Sequence, residues 1–156
     1  MAYYYISSGV ISTGITLDWD LMYVYSGGTA TSTTVNSWSY LYISSGGVAN
    51  STTVNSGHLD ISSGGVANRT TVNSGGYLYI SSGGVANRTT VNSGGSMTIS
   101  SGGTATAITE NGGYVSVAEG ANVTFTPNTI NGLVLSGAWA TLHSGTVANS
   151  TTVNSG

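Results

Sequence analysis

Apolar and polar residues alternate along this chain in short runs, and the runs return at a fixed interval. In Tyr77–Gly95, YLYISSGGVANRTTVNSGG, Leu78 and Ile80 fall on one side of an extended segment, with Tyr77 and Tyr79 on the other. Thr89 and Val91 alternate in the same way with Thr90 and Asn92. Val85 opens a third short extended piece. Ser-Ser-Gly-Gly and Asn-Ser-Gly-Gly separate these runs, and both are turn signals. β-branched residues and glycine dominate, and no 3.6-residue period appears, so the pattern predicts strands rather than helix.

The unit recurs. Tyr40–Gly57 reads YLYISSGGVANSTTVNSG, His58–Gly76 reads HLDISSGGVANRTTVNSGG, and Val147–Gly156 returns to VANSTTVNSG. More degenerate copies start around Ile6, Val24, Ile99, Val117 and Leu142. The interval is 18 to 19 residues, the range of a solenoid repeat. One such unit cannot bury its own apolar side, whereas stacked units share a continuous core. The predicted fold is therefore an all-β parallel solenoid (β-helix) of about eight coils, about 40 Å long at ~4.8 Å per coil. The expected inward columns are the Leu, the Ile, the first Val (Val48, Val66, Val85) and the second Val (Val54, Val72, Val91). Thr52, Thr70 and Thr89 face in or line an edge. Asn50, Asn68 and Asn87, and Asn55, Asn73 and Asn92, are placed to form amide ladders.

Three places break the pattern. Asp18-Trp19-Asp20 and Ser37-Trp38-Ser39 stand where the Asn-Ser-Gly turn belongs, which puts both tryptophans at a corner or an end of the stack. Glu110 falls where Val is expected. Either it is a buried carboxylate, which is costly unless paired, or the register shifts locally and Ile108 takes the inward place; the shift is the favoured reading. The interval from Val117 to Leu142 is 25 residues, so a loop of about six extra residues, near Pro127, interrupts the coil around 118–138. The chain reads as one domain, 1–156, without the polar capping elements of a finished solenoid, and therefore as part of a longer array or a unit that associates end to end.

Composition removes several function classes. Charged residues are 4 %, net charge is −3, and the only cations among the side chains are Arg69 and Arg88, which argues against nucleic acid as a partner. Cysteine is absent, which excludes a disulfide framework or thiolate metal site. Apolar runs are too short to insert in a membrane. The first residues, MAYYYISSG, lack the pattern of a secretory leader. No catalytic, cofactor-binding or metal-binding residues are assigned. His58 and Asp60 share an outward face and read as a surface pair. His143 reads as a lone surface or turn residue. The turns carry Ser, Asn and Gly in place of the Asp of calcium-binding repeats. A carbohydrate-active β-helix enzyme or a polysaccharide-binding module is the alternative, but five carboxylates and no lysine make the chain poor in the acids and bases an enzyme needs. An ice-binding face built on Thr34, Thr53, Thr71, Thr90 and Thr152 is a lesser one. The Asn-x-Ser/Thr triplets at Asn50, Asn68, Asn87, Asn122 and Asn149 read as ladder positions rather than glycosylation signals.

Outward tyrosines are the strongest candidate contact residues. Tyr3, Tyr40, Tyr77 and Tyr114 share one predicted column, and Tyr5, Tyr23, Tyr42 and Tyr79 share the next. Such a stripe suits sugar contact, lateral packing of rods, or stacking that stabilises the sheet.

The Ser-Gly-Gly turn, the Thr-Thr-Val-Asn-Ser-Gly-Gly segment and the period near 19, in that order, resemble the AIDA-type repeats of bacterial autotransporter adhesins. The resemblance covers most of the chain and is weakest in Gly112–Ala138. It implies a right-handed parallel β-helix, exposed at a bacterial cell surface or secreted, that acts in adhesion or self-association. The partners implied are other copies of the chain, lateral or end to end, and host or bacterial surface glycans. A glycosyltransferase acting on Ser and Thr is implied as well, since some members of that family carry heptose there.

Overall fold

The structure is a computed structural model that describes residues 1–154. Ser155 and Gly156, the end of the last repeat copy, lie outside the described residues. The fold is an all-β, right-handed parallel solenoid of about eight turns, with no helix among the described residues.

The first face is a sheet of seven parallel strands: Tyr3–Ile6, Leu21–Val24, Tyr40–Ile43, His58–Ile61, Tyr77–Ile80, Ser96–Ile99 and Tyr114–Val117, stacked in chain order. The register is unshifted, with His58 beside Tyr77, Leu59 beside Leu78 and Ile61 beside Ile80. Two inward columns result. Met22, Leu41, Leu59, Leu78, Met97 and Val115 form one, and Ile6, Val24, Ile43, Ile61, Ile80 and Ile99 form the other, all buried. The period-two pattern of the sequence is thus the inside–outside alternation of this sheet.

The second and third faces come from one bent run per coil. It is continuous in Val66–Val72, Val85–Asn92 and Thr104–Asn111, and split in earlier coils, as in Val48–Asn50 and Thr53–Val54. Here one inward column differs from expectation. Val48, Val66 and Val85 point outward and are half-buried, while Ala30, Ala49, Ala67, Ala86 and Ala105 are wholly buried. The reason lies in the preceding turn. Gly84 is buried beneath the previous coil, where an added Cβ would sit 2.7 Å from the Ile61 carbonyl oxygen. The chain therefore enters the core at Gly84, and the alternation runs glycine in, Val85 out, Ala86 in. On the third face Thr33, Thr52, Thr70 and Thr89 are buried as expected, beside Val35, Val54, Val72 and Val91. The hydroxyls of those four threonines have no hydrogen-bond partner among the described residues.

Each coil turns its corners through left-handed residues, and these also form columns. One contains Gly9, Gly27, Gly46, Gly64, Gly83 and Gly102. Another contains Trp19, Trp38, Ser56, Gly75 and Gly94. The third contains Gly14, Ser32, Ser51, Arg69, Arg88 and Ala107, with φ between 53° and 73°. A left-handed conformation costs a non-glycine residue roughly 1–2 kcal/mol, so stacking of the flanking strands overrides local preference at the third corner. Trp19 and Trp38 do sit at a corner; both are exposed and stack with ring centroids 5.7 Å apart.

The expected register shift at Glu110 does not occur. Val91 pairs with Glu110 and Thr90 with Thr109, so the carboxylate occupies the inward Val column and is fully buried. Ile108 is buried as well, in the Thr89 column. An irregularity follows one coil later, between Ala105 and Ile108 on one strand and Asn122–Phe125 on the next. Beyond it, Asn128–Asn131 pairs with Thr146–Asn149, and Val134–Ser136 with Thr152–Asn154, as two separate two-stranded sheets. Part of the expected loop is therefore regular strand, and the strand-free stretch is 137–145.

Candidate functional site

The outer side of the first face carries the tyrosines. In-register pairing puts Tyr3, Leu21, Tyr40, His58, Tyr77, Ser96 and Tyr114 in one column and Tyr5, Tyr23, Tyr42, Asp60, Tyr79 and Thr98 in the next. Rings from both columns join in one stack. Tyr5 lies 5.5 Å from Tyr23, Tyr23 5.1 Å from Tyr42, and Tyr42 5.8 Å from Tyr40, all centroid to centroid. His58 continues it at 4.6 Å from Tyr40 and 5.0 Å from Tyr77. Tyr25 joins at 6.1 Å from Tyr23. The flat, near-parallel rings follow from the geometry of identical residues on adjacent coils ~4.8 Å apart. Tyr3, Tyr5, Tyr77, Tyr79 and Tyr114 are exposed; Tyr23, Tyr40 and Tyr42 are partly covered by their neighbours. Beyond His58 the run thins: Tyr79 accepts a 2.8 Å hydrogen bond from Ser100 Oγ, and Tyr114 stands apart.

Asp60 interrupts the second column. Burial raises its carboxyl pKa above the ordinary value, and the neighbouring His58 works in the opposite direction. The phenol of Tyr42 is raised too, by burial first and then by Asp60 and the phenols of Tyr23 and Tyr40. His58 and Asp60 do share the outward face, but His58 belongs to the aromatic stack. The signal for that role was its place in register between Tyr40 and Tyr77.

At the other end of the stripe the aromatics open into a cleft of about 570 Å³. Tyr77 and Tyr114 wall it, Gly94, Gly95 and Ser96 form its floor, and Trp139 closes one side. Ser96 occupies the coil between the two tyrosines, which leaves the rings two coils, or about 9–10 Å, apart. Trp139 has no counterpart in the repeat, and no pattern in the sequence places it here.

The two amide ladders form. Asn55, Asn73, Asn92 and Asn111 each donate from Nδ2 to the asparagine one coil back, at 2.7–3.3 Å, beginning from Asn36. Asn68 and Asn87 do the same from Asn50 upward, both at 3.0 Å, and Thr106 Oγ1 caps that series on Asn87 Oδ1 at 2.8 Å. The threonine column contains Thr34, Thr53, Thr71 and Thr90 and extends to Thr16 and Thr109. Thr152 pairs with Val134 in the terminal sheet instead.

His143 is not a lone turn residue. Its Nδ1 lies 2.6 Å from Glu110 Oε1, and its main-chain N–H donates to Oε2 at 2.7 Å. Thr141 Oγ1 donates to Oε1 at 2.9 Å, and the imidazole stacks on Phe125 at 4.3 Å. The buried carboxylate is thus fully partnered by 137–145, which folds back over the last regular coil. Thr141 N–H also donates to the Gly113 carbonyl at 3.0 Å. The threonine hydroxyl is directed to the carboxylate and not to the imidazole, so the group lacks the relay that would activate a nucleophile; it anchors the segment. No cluster of three or more His, Asp or Glu able to hold a metal occurs among the described residues, and no helix is long and apolar enough to cross a membrane.

Residues 57–114 match a family profile described as "Adhesin of bacterial autotransporter system, probable stalk". Among solved structures, the chain is similar to a fragment of TibA, residues 55–350 of that protein, hyper-glycosylated by TibC. The two share 30% identity at a TM-score of 0.73, over 98% of this chain and 71% of that one. No curated protein sequence matches the chain.

Proposed function

The chain belongs to the AIDA family of bacterial autotransporter adhesins, and from that premise we propose that it is a surface-displayed adhesive rod that binds through columns rather than through a pocket. The observation that carries this reading is the continuous aromatic stack from Tyr5 to Tyr77, bordered by the open cleft between Tyr77 and Tyr114. Stacked phenols offer flat apolar faces with a polar rim, which suits the faces of sugar rings or the stripe of a second rod. Each contact is weak, and affinity comes from repetition along the rod. The partners are glycans of host or bacterial surfaces and other copies of this chain. Ser and Thr on the exposed turns are substrates for a glycosyltransferase, by analogy with the hyper-glycosylated TibA fragment.

A polysaccharide-cleaving enzyme on this fold needs carboxylates facing one cleft. The clefts here are lined by tyrosine, tryptophan, asparagine and arginine. The test is sedimentation against concentration, together with attachment to glycan-coated surfaces. Wild type should self-associate or attach, and Tyr77→Ser combined with Tyr114→Ser should weaken attachment at least tenfold without loss of the β-sheet signal. A strictly monomeric rod that attaches to nothing would sink the reading.

A further inference from the structure

The chain has two cationic side chains in 156 residues, and the fold stacks them on adjacent coils. Arg69 and Arg88 occupy the same left-handed corner, both at φ 59°. Asn68 and Thr70 beside the first pair in register with Asn87 and Thr89 beside the second. Both arginines are exposed, and neither has a carboxylate partner among the described residues: the ion pairs there are Met1 with Asp20 and His143 with Glu110. Two like charges about one coil apart repel, and a left-handed arginine is strained. Other coils fill this corner with Gly, Ser or Ala.

The surroundings make the pair a site. Asn50, Ser51 and Asn68 join Asn87 and the two arginines around an open groove of about 400 Å³. The ladder consumes acceptors: Asn50 Oδ1 takes Asn68, Asn68 Oδ1 takes Asn87, and Asn87 Oδ1 takes Thr106. Each of Asn68 and Asn87 spends one Nδ2 hydrogen in doing so and keeps the other. Guanidinium has donors only. The groove therefore offers N–H donors and positive charge, and each of its amide oxygens already accepts one ladder hydrogen bond.

We propose that this groove binds the carboxylate or sulfate groups of a linear anionic polysaccharide laid along the rod axis. Successive coils are ~4.8 Å apart, so neighbouring guanidinium groups can engage neighbouring acidic groups of one extended chain, each as a two-donor fork. The inference rests on the adhesive reading above and supplies the ligand class for a second face, distinct from the tyrosine stripe.

The test is binding of the full chain to immobilised heparin, polygalacturonate and neutral dextran. Wild type should hold the anionic polymers and not dextran, and added salt should release it. Arg69→Asn with Arg88→Asn should weaken binding at least tenfold; asparagine accepts the left-handed corner, so melting should be unchanged or raised. Ser51→Arg extends the column by one coil and should tighten binding. Retention of polygalacturonate identifies carboxylate as sufficient, and retention of heparin alone identifies sulfate; either supports the site if the double variant loses it. Equal binding by the double variant, equal retention of dextran, a preference for single-stranded DNA, or no binding to either anionic polymer would overturn it. A wild-type chain that holds heparin through the arginines, but neither self-associates nor loses any attachment in the Tyr77→Ser, Tyr114→Ser variant, sinks the tyrosine-stripe reading alone. One that attaches yet holds no anionic polymer sinks this inference alone.

Discussion

His143→Ala and Glu110→Val, singly and together, test whether the buried carboxylate is held by its partners. In His143→Ala the carboxylate stays in the core and keeps two donors, Thr141 Oγ1 and the main-chain N–H of residue 143. A hydrogen bond to a charged group contributes about 1.5–3 kcal/mol. The His143 side chain is 32% exposed against 0% for Glu110, so water reaches the vacated place and the lower end applies. Lost stacking on Phe125 adds about 0.5–1 kcal/mol, for a total of about 2–2.5 kcal/mol. Glu110→Val behaves differently. It restores the residue found at Val35, Val54, Val72 and Val91 and removes the buried charge, but leaves the Thr141 hydroxyl and the main-chain N–H of residue 143 without their acceptor, so its cost is smaller than that of His143→Ala but above zero. Beyond what Glu110→Val loses, the double variant should lose only the stacking, and it should be more stable than His143→Ala by about 1–2 kcal/mol. That coupling is read from amide exchange at Val115 and Thr141, whose N–H groups are bonded across the fold-back. Protection there should fall roughly 30- to 70-fold in His143→Ala, and about 5- to 30-fold of that should return in the double variant. Strictly additive effects, or a Glu110→Val variant as damaged as His143→Ala, would refute the account of a paired buried charge.

Thr70→Val and Thr89→Val remove buried hydroxyls that lack protein partners, and each should stabilise the rod by about 1 kcal/mol; a fall in melting temperature would show that those hydroxyls are satisfied. Gly84→Ala places a methyl 2.7 Å from the Ile61 carbonyl oxygen and should cost roughly 1–3 kcal/mol by forcing two coils apart, detectable in urea unfolding. Because burial raises the Asp60 pKa above 3.8, this residue favours the fold while protonated, and the contribution is lost as pH rises through its folded-state pKa. Asp60→Asn should therefore melt higher than wild type at pH 7, with the difference closing below about pH 3.8; a variant that melts lower at pH 7 would mean that the pairing with His58 outweighs burial.

Much of this fold is legible from local alternation. Leu78 and Ile80 against Tyr77 and Tyr79 need only the period of a strand, and identical units in register need only the repeat. The tyrosine columns and both asparagine ladders follow directly. The phase of the second face was hidden because Gly84, the residue that turns inward, has no side chain to mark it, and Val85 beside Ala86 looks the more apolar. Glu110 and His143 were hidden for another reason. They lie 33 residues apart, across a segment where the repeat lapses, and a contact made by a fold-back leaves no period to read. The Tyr77–Tyr114 cleft was half visible: its walls were in the column, and Trp139 was not.

The corner column that runs from Gly14 through Ser51 to Arg88 has a consequence for how such a rod diversifies. Its residues point away from the core, and its backbone shape is imposed by strands on either side, so it tolerates hydrogen, hydroxymethyl, methyl or guanidinium alike. A single substitution there changes one rung of the displayed surface at a modest cost and leaves both inward stripes intact. Duplication of a coil then copies the new group into the neighbouring place, which turns one charge into a row. The displayed surface chemistry can thus shift by copying of whole units, and the rod that results folds by the same contacts as before.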